Sequence, residues 1–168
     1  LYGFVEFAQE NSFLIVAERT NANGSRKFKR LLDETEFLSD FGVRAISRHH
    51  LEHPYEFHTN GNTMSVGYQP AESNSGLFGG NSNWRGPVWF PLNYLLAEAL
   101  RRYHHYYGSS VTVELGKGSG VRIDLRQASY EIERRLAGLF LPGADGHRPC
   151  HGGDPRYAQD PGWKDLVL

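Results

Sequence analysis

The sequence predicts a mainly α-helical fold whose helices are separated by long loops that carry β-hairpins. Three observations predict it: an apolar run at helical spacing from Val88 to Tyr107, a second from Leu125 to Leu139, and two strand–turn–strand patterns lying between helical segments. With 168 residues, 39% of them hydrophobic, the chain is of single-domain size and can bury a core.

Residues 26–38 place Phe28, Leu31, Leu32 and, less regularly, Phe37 and Leu38 at near-helical spacing, so a short amphipathic helix is expected there. From Tyr55 the alternation Tyr55, Phe57, Thr59 meets Asn60-Gly61-Asn62 and resumes at Met64, Val66 and Tyr68, the pattern of a hairpin with a tight turn. Val88, Leu92, Leu95, Leu96, Ala99, Leu100, Tyr103 and Tyr107 recur at steps of three and four, with Pro91 in the first turn, where its missing N–H costs little, and Gly108 as C-cap. VTVEL and VRIDL, joined by GKGSG, read as a second hairpin. Leu125, Ala128, Ile132, Leu136 and Leu139 then mark a helix with Asp124 as N-cap, ending at the LPGADG loop. Residues 1–25 remain unassigned. Leu1 in place of Met, and an apolar–polar pattern running into Leu168 without a stop signal, suggest that both ends are cut.

Lys and Arg number 18 against 19 Asp and Glu, a net charge of -1 that offers no basic field for nucleic acid or acidic membranes. No apolar run approaches the roughly 20 residues that cross a bilayer, and the start lacks the basic region and cleavage site of a signal peptide. These features predict a soluble, cytoplasmic chain. The single Cys150 cannot form an internal disulfide and reads as an ordinary loop thiol.

Several short constellations bear on chemistry. HHLEH, from His49 to His53, matches H-x-x-E-H, a spacing that on a helix presents two histidines and a glutamate to zinc. Pro54 opposes that reading, because it pushes His53 out of the helical region, and no metal is expected. GKGSG lacks the order of a phosphate loop and is better read as a turn. Asp33, Glu34, Glu36, Asp40 and Glu72 supply carboxylates in number, but number is no sign of function, and a solvated face for residues 33–36 with loop hydrogen bonds for Asp40 and Glu72 is the preferred reading.

GGNSNWRGPVWFPLNY, residues 79–94, is the densest stretch. Trp84 and Trp89 offer flat apolar faces for a sugar ring, and Asn81, Asn83 and Arg85 offer the donors and acceptors that hydroxyls require. Gly79, Gly80 and Gly86 permit close backbone approach, and the following helix start supplies unpaired N–H groups. An aromatic plug beneath a loop explains the same residues, and composition leaves the two readings balanced.

The longer string GGNSNWRGPVWFPLNYLLAEALRRY resembles the hallmark segment of glycoside hydrolase family 63, the processing α-glucosidase and mannosylglycerate-hydrolase-like group. LLDETEFLSDFGVRAISRHHLEHPY and RPCHGGDPRYAQDPGWKDLVL extend the resemblance over residues 26–168. The resemblance implies part of an (α/α)6 toroid, a C-terminal catalytic domain, and inverting hydrolysis of α-glucosides or related oligosaccharides without a cofactor. It further implies that Asn81, Asn83, Trp84, Arg85, Gly86 and Trp89 line the substrate cleft. The general acid and base are expected outside the matched chain, leaving the catalytic residues unknown and the isolated chain without turnover. The alternatives are a non-catalytic carbohydrate-binding or structural helical module, and a zinc hydrolase built on His49, Glu52 and His53.

Overall fold

The structure, a computed structural model, describes residues 29–69 and 88–166. The unassigned segment 1–25, residues 26–28 of the expected helix, Glu72 and the Gly79–Gly86 part of the dense stretch lie outside the described residues.

Two antiparallel helices form the frame. α1 spans Phe90–Tyr107, begun by an extended Trp89 and Pro91 in its first turn, and closed where the Gly108 N–H bonds His104 O at a positive φ of 59°. α2 spans Leu125–Gly138 and opens on a full capping box: Asp124 Oδ1 accepts from Gln127 N at 2.8 Å while Gln127 Oε1 accepts from Asp124 N at 2.9 Å. α3, Arg156–Gln159, is a single turn.

The expected mainly helical toroid segment is corrected. Among the described residues three two-stranded antiparallel ladders stand beside the helices, an α+β mix: β1–β2 (Leu38–Ser39 and Gly42–Val43), β3–β4 (Tyr55–Thr59 and Asn62–Val66) and β5–β6 (Thr112–Glu114 and Arg122–Asp124). Nor are β1, β2 and β5 loop decoration, whereas β3–β4 is largely exposed. Leu38, Val43 and Val113 are all buried, in one core cluster with Leu31, Leu32 and Phe37 on one side and Leu100, Leu125, Ala128, Ile132 and Leu136 on the other.

The β3–β4 hairpin follows the sequence pattern, pairing Phe57 with Met64 around a two-residue turn in which Asn60 and Gly61 both take positive φ, the geometry Asn-Gly favours. The GKGSG hairpin also forms, with Val113 opposite Ile123; its turn docks by Gly116 N donating to Leu32 O. The helix expected over residues 26–38 instead stops at Leu31. The Asp33 carboxylate accepts from Thr35 N at 2.9 Å and Thr35 Oγ1 at 2.7 Å, and its carbonyl accepts from Glu36 N and Leu38 N, so local bonds replace the next helical turn. Leu38 consequently pairs as a strand with Val43.

The α1 stripe is also rotated from expectation. Its buried residues are Asn93, Ala97 and Leu100, whereas Leu95 stands 60% exposed. The apolar residues of α1 wrap two faces of the helix, and α2 covers only one. Among the described residues no helix is long and apolar enough to cross a membrane.

Candidate functional site at the start of the central helix

The described part of the dense stretch, Val88 to Tyr94, is seated on β2 and its continuation. Arg44 and Val88 form an isolated antiparallel bridge. One residue earlier, the amide side chain of Asn93, 1% exposed, takes the place of a strand: its Oδ1 accepts from Val43 N at 2.7 Å and its Nδ2 donates to Val43 O at 2.9 Å. The same Nδ2 donates to Trp89 O at 2.9 Å, and Trp89 O also accepts from Asn93 N. Trp89 is thereby fixed in extended geometry at the helix start, half-buried.

Arg44 makes the seat rigid. Its Nη1 donates to the carbonyls of Glu34, Glu36 and Leu38, and its Nε donates to Tyr68 Oη at 3.2 Å, with the guanidinium 5.6 Å from the Tyr68 ring centroid. One side chain therefore joins the 34–38 turn, the end of β4's segment and the strand that holds Val88.

The other wall of this end comes from the chain after α2. Phe90 and Phe140 rings pack at 5.4 Å, Cys150 N donates to Leu139 O at 2.9 Å, and Arg148 bridges two carbonyls, Nη1 to Phe140 O and Nε to Lys164 O. Arg148 thus brings residues 160–166 beside the end of α2. There the His151 and Tyr157 rings lie 4.8 Å apart at 30°, and Trp163 meets Tyr157 edge to face at 5.8 Å. Phe90, Phe140, Tyr157 and Trp163 thus lie towards the pole where α1 starts and α2 finishes.

Of the site residues expected from sequence, Trp89 is seated here, whereas Asn81, Asn83, Trp84, Arg85 and Gly86 lie outside the described residues. Of the carboxylates expected as a solvated face, Asp33 and Glu36 are drawn into hydrogen bonds away from solvent, whereas Glu34 stays on the exposed face. Asp33 is 5% exposed and caps Thr35, Glu36 accepts from Ser47 Oγ, and Glu34 pairs with Arg135 at 2.7 Å. Asp40 is exposed. Asp154 is held down to about 2 by the Arg156 guanidinium and main-chain N–H, which leaves it an anion unsuited to donating a proton.

The histidine motif does not assemble a zinc site. Arg48–Leu51 is a 3-10 turn capped by Ser47 rather than an α-helix, and His49 and His53 stack at 4.6 Å, with the His50 ring hydrogen-bonded to His53 O. Among the described residues no three His, Cys, Asp or Glu side chains are grouped as metal ligands.

Sequence reasoning missed Asn93, Arg44, Arg148 and Trp163. A polar residue inside an apolar helical stripe, four positions after Trp89, was the signal for Asn93; the two arginines act on carbonyls far away in sequence and left none.

No protein-family model matches the chain, and no solved structure matches it. The chain is similar to the uncharacterized protein YMR196W of Saccharomyces cerevisiae, 47% identical over 156 residues. That match covers 92% of this chain, which spans 14% of the length of the yeast protein.

Proposed function

We propose that this chain forms the substrate-holding part of a glycoside hydrolase of the family-63 kind, acting on α-glucosides or related oligosaccharides with inversion. The observation that supports this reading is the seating of Trp89. The last tryptophan of the W-R-G-P-x-W string is locked at a helix start by Asn93 and by the bridge from Val88 to Arg44. A sugar-binding wall needs this rigidity, because a stacking surface whose backbone is already fixed loses little entropy when the ligand arrives.

In the proposed reaction a carboxylic acid protonates the leaving glycosidic oxygen while a carboxylate activates water, the pair standing about 6.5–9.5 Å apart. Neither role is assigned to a numbered residue, since the resemblance puts both carboxylates outside the matched chain. Asn81, Asn83, Arg85 and Gly86 bind hydroxyls in this reading, and Trp84 and Trp89 bound the ring.

The test uses the protein at its native length with maltotriose as substrate. Release of the β-anomer, followed by NMR, and a loss of at least about 100-fold in kcat/KM for Trp84→Ala and Arg85→Ala are expected. Retention of the anomeric configuration, or unchanged kcat/KM in both variants, would defeat the reading. Binding of maltotriose without any turnover would instead favour a non-catalytic carbohydrate-binding module.

A further inference from the structure

Trp163 is out of place for a purely structural tryptophan. Its side chain contributes to a residue 45% exposed, although tryptophan is highly buried on average, and its main chain is tied on both sides. Trp163 N donates to Asp160 O at 3.0 Å, Leu166 N donates to Trp163 O at 2.9 Å, and Gly162 N donates to Asp160 Oδ1 at 2.7 Å. Behind it Tyr157 meets the indole edge to face, and His151 packs against Tyr157 in turn. The indole is therefore held in place by a backed, closed turn while nearly half of the residue remains open to solvent.

We propose that Trp163, backed by Tyr157, is a stacking platform for a pyranose ring, at the same pole as Trp89. This rests on the carbohydrate reading above and adds a second wall to it. The chemistry around the indole selects the ligand. Gln159, Asp160, Lys164 and Asp165, within five residues of Trp163 in the same segment, are all exposed and offer the donors and acceptors that a polyol stacking one C–H face on the indole requires. A nucleobase would stack as well, but two aspartates in this segment and a net charge of -1 repel the phosphates that accompany it.

The platform is carried wholly by described residues after α2, so the chain itself is the test object. Its three tryptophans give three indole N–H resonances, and Trp163→Phe identifies the one from Trp163. On titration with maltotriose the Trp163 resonance is expected to move saturably. Trp163→Ala is expected to weaken binding about 2- to 10-fold, with Trp163→Phe within about twofold of the parent. A Trp163 resonance that stays fixed while that of Trp84 or Trp89 moves would overturn the platform and leave the carbohydrate reading intact. Movement of none of the three would overturn the platform, with the carbohydrate reading decided separately by the native-length test, and this reading of the parent chain holds even if Trp163→Ala does not fold.

Discussion

Asn93 holds Val43 as a neighbouring strand would, with one bond in each direction: Val43 N to Asn93 Oδ1 at 2.7 Å and Asn93 Nδ2 to Val43 O at 2.9 Å. A helix side chain thus completes a sheet edge, and the main-chain groups of a buried residue are paired without a third strand. The third bond of the same amide, to Trp89 O, transfers that rigidity to the candidate site.

Asn93→Ala should therefore cost more than an ordinary buried truncation, because it strands the Val43 N–H and C=O away from water. About 3 kcal/mol is expected from two unsatisfied groups, measured by urea unfolding. A loss below about 1 kcal/mol would mean that the amide does not carry the seat.

Gly42 lies against this joint. A Cβ there would come within 2.9 Å of both Asn93 Oδ1 and Leu136 Cδ2, at a φ of 119°. Gly61, at a φ of 76°, would meet nothing within 4 Å. Gly42→Ala should destabilise by about 3 kcal/mol, from backbone strain plus collision, and Gly61→Ala by about 1 kcal/mol, from strain alone. Equal losses would show that the close approach is not felt.

The rotated face of α1 gives a paired comparison of leucines. Leu100 is 1% exposed and Leu95 60% exposed. Leu100→Ala should cost about 2–5 kcal/mol through the cavity it leaves, and Leu95→Ala within about 0.5 kcal/mol of zero. The reverse order in thermal unfolding would put the stripe back where spacing alone places it.

Acid should find one particular weakness. Glu131 is held down to about 2, first by its hydrogen bond from Arg134 and then by Arg135, which also reaches Glu34 Oε1 and Ser39 O. A carboxylate whose folded pKa lies below its ordinary 4.5 adds stability that is complete above 4.5 and disappears as pH falls towards 2. Glu131→Gln should therefore lose stability at neutral pH and show a shallower fall in Tm across that window. An unchanged slope would remove Glu131 from the acid response.

Local elements were legible because their causes are local. Asn60-Gly61 can adopt the positive φ pair of a tight hairpin turn, Asp124 and Gln127 cap each other three residues apart, and Gly108 ends α1 through a bond to His104 O. The site was legible only as composition: Trp89 stood out, but its locking did not, since Val43 lies 50 residues from Asn93. Trp163 likewise reads as one more aromatic residue until Arg148 draws it towards the end of α2.

The sequence by itself determined the two helices, both hairpins and the concentration of aromatic and hydrogen-bonding groups ahead of α1, because periodicity, turn chemistry and caps act over a few residues. Tertiary structure alone decided that residues 38–43 pair as strands inside the core, that Asn93 rather than Leu95 faces inward, and that Glu34 pairs with Arg135. Those outcomes depend on which surfaces meet. An apolar stripe, a carboxylate or an asparagine side chain takes its role from a partner distant in sequence, Leu136, Arg135 and Val43 among them, and no local pattern encodes that partner.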